Sequence, residues 1–309
     1  MPKQSPEAQR VVAITGPTAA GKSAVALALA AELDAEIVTC DAMQVYRQMD
    51  IGTAKPSAGE RVAVAHHCLD LVEASDEFSA ADYRQHARAA IGDVSARGRL
   101  PLIAGGTGLY LRAAVDEGEL SVPPDPARRA ELESWALDDL VARLVELDPG
   151  RAQEIDLANP RRVLRAVESA ETSGPHVGGD SGWHERKSIY DLTIIAVAPR
   201  ERTELYDAID ARVDAMLGAG WIDEVAALRA RARPMSRTAQ AAIGYAELGA
   251  VIDSDMTLDA ARERIKARTR AYARRQLTWF RAEPRARRVY GSGRTLVDAV
   301  RAEISAALQ

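Results

Sequence analysis

The segment Gly16-Pro17-Thr18-Ala19-Ala20-Gly21-Lys22-Ser23 has the residue types and spacing of a phosphate cradle, G-x-x-x-x-G-K-S. Glycines let the backbone curl until several N–H groups point at one anion. A following helix adds the positive end of its dipole. Lys22 supplies a point charge for a terminal phosphate, and the Ser23 hydroxyl can ligate Mg²⁺. The loop leaves open which phosphate is bound and whether it is cleaved, transferred or lost. Asp41 is a second candidate: it ends an apolar run, where a carboxylate can bind Mg²⁺, act as a general base, or simply cap the next helix. Gly105-Gly106-Thr107-Gly108 is a third: paired glycines permit close backbone approach and Thr107 offers a hydroxyl, although a tight strand-to-helix turn accounts for the string equally well. No aspartate ends the run before Gly105, which argues against motor-type ATP hydrolysis.

These residues need elements to bring them together. Val11–Ile14, Glu36–Cys40, Pro101–Ala104 and Leu192–Val197 read as strands; Ser23–Leu33 and Ala80–Ala96 read as helices. The alternation predicts an α/β fold, a parallel sheet of P-loop NTPase type covered by helices. Ligands of such sheets sit at the carboxyl ends of the strands, so the P-loop, Asp41 and Gly105–Thr107 are expected in one crevice. Pro123-Pro124-Asp125-Pro126 is a break, and Ala127–Glu171 is helical in character, interrupted at Asp148-Pro149-Gly150 and Asn159-Pro160. Residues 173–187 read as a loop. The expected organisation is a first part of the core at 1–115, a helical insertion at 116–190, and core completion with mostly helical, basic sequence at 191–309.

The chain has 309 residues and a net charge of −5, so nucleic-acid contact must come from a local patch. Arg262–Arg281 is such a patch: eight basic residues against the single acid Glu263, suited to phosphate contact or to a solvated face in an arginine-rich protein. Two cysteines form no disulfide framework and fit a reducing cytosol. No secretory signal or membrane span is expected. His66-His67-Cys68 lacks a second cluster with zinc-ligand spacing and is not taken as a metal site.

Taken together, Gly16–Ser23, Asp41–Pro56, His66–Asp70, Gly105–Tyr110, Asn159–Glu168 and Tyr272–Arg281 resemble, in order and spacing, the signatures of the bacterial tRNA dimethylallyltransferases. The strings Met49–Pro56 and Tyr272–Arg281 are the most specific. The resemblance implies transfer of a dimethylallyl group from dimethylallyl diphosphate to the exocyclic amine of the adenosine just 3′ of the anticodon, in tRNAs reading codons that begin with U. It implies that the P-loop (Gly16, Pro17, Thr18, Ala19, Ala20, Gly21, Lys22, Ser23) holds the donor's diphosphate rather than ATP, with Mg²⁺ near Ser23. Asp41 would be the general base, with Thr107 and Arg212 completing the catalytic set.

Contacts to the tRNA anticodon stem-loop are expected from Asp41, Ala42, Met43, Gln44 and Thr107, from Arg270, Arg274, Arg275 and Gln276 of the basic segment, and more weakly from Arg128 and Arg129. A cytoplasmic monomer is implied. The chain departs from the family at Ala42, where serine is common, at Ser23 in place of threonine, at Cys68 in place of leucine, and in the 173–187 loop. A free-nucleotide prenyltransferase would need the P-loop and Asp41 but neither the insertion nor the basic helix. A small-molecule kinase should show lid arginines and a second Mg²⁺ carboxylate. A non-catalytic RNA-binding protein would not depend on Asp41.

Overall fold

Val11-Val12-Ala13-Ile14 is apolar on both faces, as a strand must be when helices cover both sides of a parallel sheet. In the computed structural model, which describes residues 9–118, 125–174 and 187–309, this run lies in β1 (Arg10–Thr15), buried from its second residue onward. β2 (Ala35–Cys40), β3 (His66–His67), β4 (Leu100–Gly105), β5 (Asp191–Ala198) and β6 (Ala286–Tyr290) complete one parallel sheet in the order β3-β2-β4-β1-β5-β6. Register is fixed by pairs such as Ile14↔Ala104 and Ile14↔Ile195. Alternate side chains feed two cores. Val11, Ala13 and Ile103 face Tyr83, Ile91 and Trp221, whereas Val12, Ile14 and Leu102 face Leu29, Ile209 and Val300.

Two strands escaped the sequence reading. β3 is two residues long, too short for any periodic signal, and β6 reads Ala-Arg-Arg-Val-Tyr, a basic edge strand inside a stretch expected to be helical to its end.

Five helices precede and follow the site loops: α1 (Lys22–Ala30), α2 (Ala58–Ala63), α3 (Ala80–Ala96), α4 (Gly108–Val115) and, in the insertion, α5 (Pro126–Glu133). The insertion continues through α6 (Leu137–Leu147), α7 (Pro149–Glu154) and α8 (Pro160–Ser173), with breaks where the prolines stand. Asp148 and Asn159 cap α7 and α8. After β5 come α9 (Arg202–Gly218), α10 (Trp221–Arg229), α11 (Arg237–Gln240), α12 (Tyr245–Ile252), α13 (Leu258–Arg281) and α14 (Gly293–Leu308).

Two compact units result: residues Met1–Val115 with Ser188–Gln309, and Asp116–Lys187. In the first, Ile189 donates its N–H to the Val115 carbonyl at 2.9 Å, so the points where the chain leaves and re-enters the core are adjacent. The second has its own small core of Leu132, Leu140, Leu144, Val163 and Val167. The expected tip of the loop, residues 175–186, the prolines before Asp125, and the first eight residues lie outside the described residues.

Candidate active site

The carboxyl ends of β1, β4 and β2 carry the P-loop, the Thr107 turn and Asp41. β1 lies between β4 and β5, so the chain crosses from one side of the sheet to the other at β1, where a crevice opens. The P-loop turn needs glycine at its first position: Gly16 has φ +143°, and a Cβ there would stand 2.1 Å from the Val197 carbonyl oxygen. Lys22 folds back onto its own loop, donating from Nζ to the Pro17 carbonyl at 2.6 Å. Burial, then the nearby Arg212 guanidinium, push its ammonium pKa down to about 8, against the opposing pull of Asp41. Burial also lowers the Arg212 pKa, with Asp41 again opposing. Two cations and one carboxylate therefore stand close enough to perturb one another.

Two acidic neighbours of Arg212 on α9 are tied elsewhere. Asp210 is held by Arg270 at 2.7 Å and Asp214 by Lys266 at 2.9 Å, both from α13.

Asp41 Oδ1 accepts from the Met43 N–H at 2.8 Å and the Gln44 N–H at 3.3 Å. No helix follows Asp41 directly, so these bonds close a turn instead of capping a helix, and they fix the carboxylate while leaving it half-buried. Thr107 is joined to the same turn. Its N–H donates to the Cys40 carbonyl at 3.3 Å, and its Oγ1 accepts from the Ala42 N–H at 3.2 Å. The Tyr272 side chain, on α13, lies near Thr107 and Asp41; burial, then the Asp41 charge, push the phenol up to about 12, so it is neutral in ordinary buffers.

Gln44 donates its amide to the carbonyls of Thr53 and Ala54 at 2.9 and 3.0 Å. With Ser23, Thr39, Lys55 and His66 it lines a cavity of about 200 Å³. The distinctive Met49–Pro56 string is a braced loop. The Lys55 ammonium, itself buried, reaches the Tyr46 carbonyl, Asp50 and Asp70 at 2.5–2.8 Å. Glu224 accepts from the N–H groups of Asp50, Ile51 and Gly52 and from the Tyr245 hydroxyl.

The basic helix divides into halves. Arg262 pairs with Asp259, Lys266 with Asp214, Arg268 with Glu247 and Arg270 with Asp210, so Arg270, expected at the RNA face, ties α9 to α13 in this structure. Arg274, Arg275 and Arg281 are exposed and carry no ion pair among the described residues. Arg274 donates to the Tyr206 hydroxyl, and Arg275 lies over the Tyr272 ring at 5.7 Å. Gln276, expected at the RNA face, is 6% exposed and points inward.

Arg128 and Arg129 are held within the insertion, Arg128 by Glu131 and Glu171 and Arg129 by Glu133 and Glu168. Glu224 was not singled out from the sequence; it belongs to no spacing that marks chemistry and acts through contacts remote in the chain.

Ser23, the second residue of α1, is exposed at the phosphate loop, and no cluster of three or more His, Cys, Asp or Glu among the described residues could hold a metal. A hydroxyl oxygen alone suits Mg²⁺ when substrate phosphate oxygens and water complete the shell.

Residues 44–283 match the sequence profile of the IPP transferase family. The chain is similar to tRNA dimethylallyltransferases of Roseiflexus sp. strain RS-1, 43% identical over 89% of this chain and 90% of the relative, and of Streptomyces coelicolor, 44% identical over 91% and 90%. Among solved structures it resembles the tRNA isopentenylpyrophosphate transferase of Bacillus halodurans (TM-score 0.72, 37% identity, 97% of each chain). It also resembles a eukaryotic dimethylallyltransferase acting on tRNA (TM-score 0.76, 26% identity, 95% of this chain and 77% of the other). With the fold, the P-loop and the Asp41–Thr107 crevice in agreement, the chain belongs to the IPP transferase family.

Proposed function

We propose that this protein transfers a dimethylallyl group from dimethylallyl diphosphate to the exocyclic amine of the adenosine immediately 3′ of the anticodon in tRNA. The observation that carries this reading is the meeting of one carboxylate, Asp41, with two cations, Lys22 and Arg212, beside Thr107. The cations suit a diphosphate leaving group and the carboxylate suits the proton of an incoming amine.

An adenine amine is a weak nucleophile because its lone pair is delocalised into the ring. As its nitrogen forms a bond to C1 of the donor, the C1–O bond breaks, the electron pair leaves on diphosphate, and Asp41 takes the amine proton. Lys22, the loop N–H groups and Arg212 oppose the charge that grows on the leaving oxygen. A Mg²⁺ ion held by Ser23 and the donor's own oxygens would neutralise part of the diphosphate charge. Ala42 N–H anchors Thr107 Oγ1 beside Asp41, where the hydroxyl can orient the target base. That base must leave the anticodon stack to enter the crevice. Arg274, Arg275 and Arg281 are the guanidiniums available to RNA phosphates on α13.

No helix among the described residues is long and apolar enough to cross a membrane, and Cys40 and Cys68 are free and buried. The free thiols fit a reducing compartment.

A label-transfer assay tests the reading. Labelled dimethylallyl diphosphate, Mg²⁺ and unmodified tRNA should give labelled tRNA, with none in free AMP. Asp41→Asn should lower turnover by about 10²–10⁴-fold while tRNA affinity holds. Label in AMP alone, or ATP consumption without label, would overturn it.

A further inference from the structure

Gln276 sits one turn beyond Tyr272 on the inward stripe of α13, and both ends of its side-chain amide are engaged across the crevice. Oε1 accepts from the Thr18 N–H of the P-loop at 2.8 Å. Nε2 donates to the Gly106 carbonyl, next to Thr107, at 2.8 Å. The two loops it joins come from different strands, β1 and β4. The approach is so close that a Cβ on Gly106 would stand 2.3 Å from Gln276 Nε2, and no side chain larger than hydrogen fits.

We propose that Gln276 is a positioning residue that sets the spacing between the diphosphate loop and the Thr107 turn, and that it does not read RNA. The amide suits this task because it is donor and acceptor at once, and so can satisfy one N–H and one C=O that would otherwise be buried without partners. Donor and acceptor substrates must be aligned for in-line displacement. A brace between their two binding loops therefore acts on alignment rather than on RNA affinity. This inference rests on the proposed transferase reaction for its kinetic readout.

Gln276→Met keeps the length and removes both hydrogen bonds. It should raise KM for dimethylallyl diphosphate and lower kcat by about 10- to 100-fold in kcat/KM, with anticodon stem-loop affinity within about twofold of the parent protein. Gln276→Glu separates the two halves. The carboxylate still accepts from Thr18 but repels the Gly106 carbonyl, whereas the protonated acid can accept and donate as the amide does. The ratio of its kcat/KM to that of the parent protein should therefore rise as pH is lowered from 8.5 to 6.

Stem-loop affinity falling in parallel with activity would make Gln276 an RNA contact. Unchanged kinetics in both variants, or a pH-independent ratio for Gln276→Glu, would also overturn the proposal. Should Gln276→Met fail to fold, the glutamate variant carries the test alone. If the parent protein transfers no label at all, the transferase reading fails, and the brace is then judged by calorimetry with inorganic diphosphate and Mg²⁺: weaker binding in the variants supports it and equal binding refutes it.

Discussion

At the scale of single residues, Lys22 shows how a binding site is built against stability. Its pKa in the folded protein is about 8, against 10.5 for a free lysine. Between those values the unfolded chain holds more protons, so stability rises with pH across that window and is lowest, on this account, below pH 8. Lys22→Met should therefore raise the thermal unfolding midpoint of the ligand-free protein at pH 7, by as much as ~3 kcal/mol in stability, while diphosphate binding is lost. Scanning calorimetry at pH 7 with and without diphosphate checks both halves. Diphosphate affinity of the parent protein should also weaken as pH rises through 8, because the neutral amine no longer opposes the anion.

The chemistry-bearing residues were legible to different degrees. Gly16–Ser23 and Asp41 could be found because their spacing is itself the signal. Arg212 came from resemblance, and its burial near Asp41 is a fact of helix packing that no local pattern carries. The inward turn of Gln276 was hidden for the same reason, since a glutamine between Arg275 and Leu277 reads as part of a basic surface.

At the scale of elements, polar ties between elements do work that composition assigned to ligands. Glu36 on β2 is buried, which alone would raise its pKa; hydrogen bonds from His67, Arg99 and Arg97 outweigh burial and hold it down to about 2. Its folded pKa lies below the unfolded one, so the network's contribution is present above pH 4.5 and is lost as pH falls toward 2. Glu36→Leu should flatten the acid limb of a stability profile in that window, measured by urea unfolding at successive pH values.

Arg112 on α4 and Glu283 after α13 form a buried pair at 2.8 Å, with Trp279 beneath the guanidinium at 5.3 Å. Glu283 also pairs with Arg285 at 2.8 Å, so Glu283→Leu removes two ties at once and should cost about 3–5 kcal/mol. Chemical denaturation of the single variant and of a double Arg112→Met, Glu283→Leu variant separates that penalty from the worth of the pair; the double variant should be much the more stable. The strands and helices with strong periodicity were readable from residue patterns. β3 and β6 were not, because pairing to β2 and β5, rather than their own composition, makes them strands.

At the scale of the whole molecule, a net charge of −5 surrounds a small set of α13 arginines that carry no ion pair among the described residues. Affinity for tRNA should fall linearly with the logarithm of salt concentration. Arg274→Ala and Arg275→Ala should each reduce that slope by about 1, while Arg270→Ala should leave the slope alone and act on stability through Asp210. Binding titrations of the stem-loop at several salt concentrations distinguish these outcomes.

The adjacency of Val115 and Ile189 gives the chain the character of a cassette carrier. A segment whose two ends meet at one doorway can be gained, lengthened or dropped without rethreading the sheet, because a linker of a few residues closes the same gap. The sheet unit and residues 116–187 could then change in length and sequence at independent rates.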